Sequence, residues 1–253
     1  MLNHFPLFDS HFHIIDPNFP LVPNNGFVPE AFTVENYLKR MSSYDLVGGV
    51  VVSGSFQAFD QGYLLSALKM LGNNFVGVTQ VPASITDEEL NVLNLAGVRA
   101  VRFNLKRGGS EGVKHLENMA KRVHDLFSWH VELYVDSAKL AELKSVIVSL
   151  PSVSIDHLGL SKLGLPDIRY LLERNIKVKA CGFGRVDFDV MTVLPELYSI
   201  NPNSLMFGTD LPSTRAPRVY QDADFLLVQD ALKDEQACMS VFNRNARVFY
   251  RKT

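Results

Sequence analysis

The chain has 253 residues, 47% of them hydrophobic and 21% charged, which is enough apolar mass for one large core or two small ones. Its formal net charge of −2 excludes the basic excess that a nucleic-acid surface needs. No apolar run reaches the roughly 18 residues of a membrane span, so neither nucleic acid nor membrane is an expected partner. Cys181 and Cys238 are too few for a disulfide framework. The start, MLNHFPLFD, lacks a charged segment followed by an apolar one, so a cytoplasmic setting without a signal peptide is the expectation.

The first apolar run, LFDSHFH (7–13), carries His11 and His13 two apart behind Asp9. In a strand, alternation places Asp9, His11 and His13 on one face and Phe8, Ser10 and Phe12 on the other. The following segment, 14–32, is long and holds four prolines, so it reads either as a stiff lid over a site or as a surface wrap. Further β-rich runs follow at 48–54, 75–81, 98–105, 129–135, 152–158, 176–182 and 205–210. Between them lie segments of helical character. The first, TVENYLKRMSSY, spaces Val34, Tyr37, Leu38 and Met41 on one face, and GYLLSALKML is the second. TDEELNVLNLAG opens with Thr86 and Glu89 at capping-box spacing and closes on Gly97. Further segments of helical character lie at 112–127, 137–150, 166–175, 189–200 and 220–232.

About eight β-α units in a chain of this length predict a single α/β domain over 1–253, a (β/α)8 barrel of the TIM type. The rival is an open doubly wound sheet, but no GxGxxG follows the first strand, which removes its commonest nucleotide-binding form. In a barrel the strand ends at one face share a site. Here those ends carry His11 and His13, Ser53 and Ser55, Arg102 and Asn104, Glu132 and Tyr134, Asp156 and His157, Lys179 and Cys181, and Thr209 and Asp210, with Arg185 just beyond the seventh strand. His115 and His124 fall in the helical segments instead.

HxH on the first strand, SIDHLG at the sixth and LMFGTDLP at the eighth resemble the amidohydrolase superfamily, in its amidohydrolase-related branch. The resemblance runs along nearly the whole chain, through GGVVVSGSFQAFDQGYLLSAL, GVRAVRFNL, KVKACGFGR and the closing VFNRNARVFYR. Within that branch the chain is most similar to the 2-pyrone-4,6-dicarboxylate lactonase and sugar lactonase group. It departs from the metal-dependent members on strand five, where His130 stands at the wrong end. That leaves His11, His13, His157 and Asp210 as metal candidates, a set adequate for one divalent ion, zinc first, with an open water position. No bridging ligand for a second ion is evident. The resemblance to the dicarboxylate lactonases implies that the same four residues work without metal.

The resulting expectation is a lactonase-like hydrolase that opens an ester-type C–O bond. Asp210 activates water, while His11, His13 and His157 polarise the carbonyl directly or through one ion. The substrate is a small molecule bearing a carboxylate, held by Arg102, Arg185, Arg215, Ser53 and Tyr134, since guanidinium forks suit carboxylates. Arg107 and Arg218 lie on the same loops. Cys181 lacks an evident base and is not expected to be a nucleophile, and Lys179 reads as a structural cation of the barrel floor. The alternatives are a mononuclear metal-dependent decarboxylase or C–N hydrolase of the same superfamily, and a catalytically silent barrel that binds a small ligand. The sequence sets no oligomeric state.

Overall fold

The structure is a computed structural model that describes residues 5–250. Met1–His4 and Arg251–Thr253, which include the first residues of the opening stretch and the last of the closing motif, lie outside the described residues. Among the described residues, eight parallel strands pair in sequence order: β1 (Leu7–Phe12), β2 (Leu46–Val52), β3 (Phe75–Thr79), β4 (Val98–Asn104), β5 (His130–Tyr134), β6 (Val153–Ile155), β7 (Lys177–Ala180) and β8 (Leu205–Phe207). The fold is the (β/α)8 barrel that the alternation predicts, because each helix returns the chain for another parallel strand.

The helices α1 (Val34–Arg40), α2 (Gly62–Leu71), α3 (Asp87–Leu95), α4 (Leu116–Phe127), α5 (Lys144–Ser149), α6 (Leu165–Leu172), α7 (Val190–Ile200) and α8 (Asp222–Leu232) follow the strands. The capping box at α3 forms as its spacing predicts: Glu89 N donates to Thr86 Oγ1 at 3.2 Å, and Thr86 N donates to Glu89 Oε2 at 2.8 Å. α4 buries Leu116, Met119, Ala120 and Val123, one stripe at helical spacing. The helical segment expected over 137–150 is divided into a 3₁₀ stretch, Ser137–Glu142, and α5. The Asp136 carboxylate accepts from Ala138 N and starts the tighter turn there.

Two apolar layers position the site. Leu7, Phe12, Val51, Phe103, Leu133, Ile155 and Phe207 belong to the large core between strands and helices. Phe8, Val50, Val52, Val76, Val78, Ala100 and Met206 form a smaller inner cluster with Ala246 and Tyr250. Those last two belong to the C-terminal run, where α9 (Glu235–Met239), a π-turn (Ser240–Arg244) and α10 (Asn245–Phe249) lead to Tyr250. The barrel interior is thus apolar on the side covered by Tyr250, and its polar residues lie beyond that layer.

The seam between β8 and β1 is closed by other bonds than a regular ladder. Thr209 donates to Asp9 twice, from N at 2.9 Å and from Oγ1 at 2.7 Å, and the backbone bonds Asp210 N to His11 O and His13 N to Leu211 O are each 2.7 Å. Asp9 therefore does not share a face with His11 and His13, contrary to strict alternation. The β1–β2 register shifts between Asp9 and Phe12. Asp9 also accepts from Tyr37 of α1 at 3.1 Å, and Phe12 stacks on the same Tyr37 ring. A bulge in β1 turns the aspartate to the seam and leaves the histidines inward.

Candidate active site

His11, His13, His157 and Asp210 come together at the C-terminal ends of β1, β6 and β8. Asp210 Oδ1 lies 3.9 Å from His11 Nε2, 3.8 Å from His13 Nε2 and 4.0 Å from His157 Nε2. These separations exceed hydrogen-bond length and leave room for an intervening atom. The four residues are at most 4% exposed. His157 (φ 53°) and Asp210 (φ 59°) both hold the left-handed backbone that non-glycine residues adopt rarely, and this aims their side chains into the barrel mouth. Two glycines make room for the rings. A Cβ on Gly208 would come within 2.8 Å of His11 Cβ, and one on Gly182 within 2.6 Å of His157 Nδ1.

The partners of each ring set its hydrogens. His13 Nδ1 lies 2.6 Å from Val52 O, and a carbonyl only accepts, so Nδ1 carries the hydrogen and Nε2 presents a lone pair. His157 Nδ1 faces Cys181 Sγ at 3.2 Å. Cys181 therefore does face a base that its local sequence does not show, yet burial pushes its thiol well above the ordinary range, so the pair is a neutral contact that orients the ring. His11 Nδ1 has two neighbours, Lys179 Nζ at 3.3 Å and Asp156 Oδ1 at 3.4 Å. Burial lowers the pKa of all three histidines, that of His13 and His157 well below the ordinary value, with neighbouring cationic groups adding to it.

Asp210 is oriented by Arg185, whose Nε donates to Oδ2 at 2.7 Å while Nη2 holds Thr214 O at 3.0 Å. The other oxygen, Oδ1, and His11 Nε2 are buried with no hydrogen-bond partner among the described residues. Donor atoms of His11, His157 and Asp210 lie within 4.8 Å of one another. Unsatisfied buried polar atoms need an explanation, and a carboxylate oxygen with imidazole nitrogens is a donor set that suits a divalent ion. The residues thus fit one ion, with His13 adding a fourth donor at 3.8 Å from the shared carboxylate oxygen.

A small, half-open cavity lies above these residues and includes His13, Ser55, Tyr134, His157, Arg185 and Arg215 in its lining. The arginines differ in how free they are. Arg102 is engaged internally, with Nε and Nη2 on Asp156 Oδ2 at 3.1 and 2.8 Å and Nη1 on Ser53 O at 2.8 Å. Arg215 reaches Asn24 Oδ1 at 2.9 Å and Ser55 Oγ at 2.7 Å, and lies over the Phe27 ring, which ties down the proline-rich loop after β1. Arg107 lines the cavity, and its guanidinium makes no hydrogen bond or ion pair among the described residues. Arg218 is paired with Asp224. Of the remaining expected contacts, Ser53 Oγ is bonded to Tyr63 at 2.5 Å and is absent from the cavity lining. Tyr134 does line it, against the His157 ring and the Arg102 guanidinium.

Beneath the histidines lies a second polar layer that sequence reasoning named only in pieces. Lys179, Glu132 and Asp156 are each 0% exposed. Lys179 Nζ lies 2.5 Å from Glu132 Oε2 and 3.7 Å from Asp156 Oδ1. Burial is the largest influence on Glu132 and opposes its charge, but Lys179 and His130 together outweigh it and hold the carboxyl down at about 2. Burial likewise opposes the charge on Asp156, and Arg102, His11 and Lys179 together hold it well below the usual range. The strand-end positions of all three were readable; their mutual pairing was not.

The family model described as amidohydrolase matches residues 8–252. A 2-pyrone-4,6-dicarboxylate hydrolase of Comamonas testosteroni is 35% identical over 157 residues, 60% of this chain and 51% of that protein. A D-galactarolactone isomerase of Agrobacterium fabrum is 24% identical over 136 residues, 53% of this chain and 46% of that protein. The chain thus spans about half the length of the curated relatives it matches. Among solved structures, a probable 2-pyrone-4,6-dicarboxylic acid hydrolase of Acinetobacter baumannii with citric acid bound has a TM-score of 0.84 at 20% identity, covering 98% of this chain and 100% of the other. This likeness is one of fold. Among the described residues, no helix is long and apolar enough to cross a membrane.

Proposed function

The chain belongs to the amidohydrolase family, and on that footing we propose that it hydrolyses a lactone that carries at least one carboxylate. The observation that carries this reading is the single bare oxygen of Asp210, set among three imidazole Nε2 atoms under an arginine-lined cavity. A pyrone is a cyclic ester, and the names of both curated relatives contain a lactone ring. Citric acid in the Acinetobacter protein is consistent with an anionic occupant of such a cavity.

In this mechanism Asp210 Oδ1 takes a proton from water as that water's oxygen attacks the lactone carbonyl; as the tetrahedral adduct collapses, the ring C–O bond breaks and Asp210 returns that proton to the leaving oxygen. Arg185 keeps the carboxylate turned toward the water. His13, with its lone pair exposed, accepts a hydrogen from the same water rather than polarising the carbonyl, which narrows the role first expected of it. Lys179 donates to His11 Nδ1, and the neutral Cys181 thiol donates to His157 Nδ1, so both rings offer Nε2–H to the oxygen on which charge develops. Arg107, with a free guanidinium, takes the substrate carboxylate.

His11 and His157 in their other tautomers, with Nδ1–H toward Asp156 and Cys181, would hold a divalent ion together with Asp210 and His13. When bound, such an ion supplies Lewis-acid stabilisation of charge on oxygen. That donor set also favours a second reading, metal-dependent C–N hydrolysis or decarboxylation. The test is hydrolysis of a lactone panel, with and without a ring carboxylate, measured with and without chelator. Turnover restricted to carboxylate-bearing lactones is expected. Turnover of amides but of no lactone would reject the reading.

A further inference from the structure

The layer beneath the histidines is a second group of potential metal donors. His11, Glu132 and Asp156 each offer an atom within 4.8 Å of the others, and all three are 0% exposed. Two carboxylates and an imidazole nitrogen are a donor set that a divalent ion would take. The position is occupied by the chain itself. Lys179 Nζ reaches every member of the group: Glu132 Oε2 at 2.5 Å, His11 Nδ1 at 3.3 Å and Asp156 Oδ1 at 3.7 Å. An ammonium has three hydrogens and no acceptor: this one is within hydrogen-bond distance of Glu132 and His11, and it faces Asp156 Oδ1, a buried oxygen with no hydrogen-bond partner among the described residues, as a compact charge at ion-pair distance.

The charges balance locally. Arg102 neutralises Asp156 through Oδ2. Glu132 Oε1 receives the Tyr250 hydroxyl and faces His130 at 3.2 Å, so Lys179 is the formal positive charge that meets its other oxygen. Without Lys179 the layer would keep one uncompensated buried carboxylate, a state that must recruit a cation or a proton. His11 belongs to both layers, with Nε2 toward Asp210 and Nδ1 toward Lys179.

We infer that Lys179 is a built-in cation standing where a second divalent ion would bind, so that the barrel admits an ion only in the upper group of His11, His13, His157 and Asp210. The inference rests on the reading of that upper group as the reaction site. Lys179 is then a positioning residue: it fixes His11 from below and bars the dinuclear arrangement that the lower donors would otherwise form.

The experiment measures manganese per chain by elemental analysis, after loading the full-length protein with Mn²⁺ and removing the excess. The chain as it stands is expected to hold at most one ion. Lys179→Met is expected to hold one ion more, and Lys179→Met/Glu132→Gln, which removes a donor as well, to return to the starting number. Lys179→Met is also refolded in Mn²⁺ and in EDTA, and recovery in Mn²⁺ alone is the expected result. Two ions in the unaltered chain, no added ion in Lys179→Met, recovery in EDTA as good as in Mn²⁺, or failure to refold in both media would each overturn the inference. Lactone turnover by the unaltered chain is assayed separately. Its absence would reject the proposed reaction while leaving the ion count as the test of Lys179.

Discussion

Arg185 Nε lies 2.7 Å from Asp210 Oδ2, and this bond leaves Oδ1, the opposite oxygen, facing His11, His13 and His157. The carboxylate is thus divided into a held oxygen and a working one. Removing its charge should remove the base. Asp210→Asn is expected to lower kcat by about 10²–10⁴-fold with the circular dichroism spectrum unchanged. Arg185→Gln should lower kcat in the same direction by a smaller factor, because the base remains but is no longer aimed. Near-normal turnover by Asp210→Asn would sink the assignment.

Arg107 and Arg102 are expected to fail differently when truncated. Arg107 lines the cavity with a guanidinium that has no hydrogen bond or ion pair among the described residues, so Arg107→Ala should mainly raise KM. A lost charge-assisted bond of about 1.5–3 kcal/mol corresponds to roughly 10–100-fold in kcat/KM. Arg102→Ala leaves the buried Asp156 Oδ2 without the partner that meets it, and should cost stability of about 3–5 kcal/mol. Steady-state kinetics together with urea unfolding separates the two. An Arg107→Ala protein with unaltered KM on the substrate would contradict the first assignment.

The Glu132–Lys179 pair predicts an acid dependence of stability. The folded carboxyl sits at about 2, below its ordinary value of 4.5, because Lys179, with His130, outweighs the burial that opposes its charge. The folded state therefore binds fewer protons than the unfolded state between these values. The contribution is complete above about pH 4.5 and is lost as pH falls toward 2. Urea midpoints measured across that range should fall less steeply for Lys179→Met/Glu132→Gln than for the unaltered chain. Identical slopes would show that the pair is not the source.

Gly182 gives a steric test of His157. Its φ is +62°, and an added Cβ would come within 2.6 Å of His157 Nδ1. Gly182→Ala should destabilise the chain by about 1–2 kcal/mol from the backbone alone and lower kcat through displacement of the imidazole. Full activity in that variant would mean that the position of the His157 ring is not critical.

Much of this protein was determined by the sequence itself. The alternation of β-rich runs with amphipathic segments encodes the barrel, since local propensity and a parallel sheet leave few other solutions. The ends of those runs name His11, His13, His157 and Asp210, because in a barrel one strand end means one face. Capping at Thr86 was equally local, requiring only residues three apart.

What only the tertiary structure decided depends on distances between strands far apart in the chain. Asp9 looked like a third member of the HxH face, but a bulge in β1 gives it to Tyr37 and Thr209, 28 and 200 residues away. Arg102 and Arg107 are the same residue type on the same strand end and loop. Both line the cavity, but one is engaged by Asp156, 54 residues away, while the guanidinium of the other has no hydrogen bond or ion pair among the described residues. Lys179, Glu132 and Asp156 stand on three different strands, and nothing in their local sequence says that one ammonium meets both carboxylates. Side-chain pairing across a barrel is set by strand register and stagger, which closure of the sheet imposes and which local pattern does not encode.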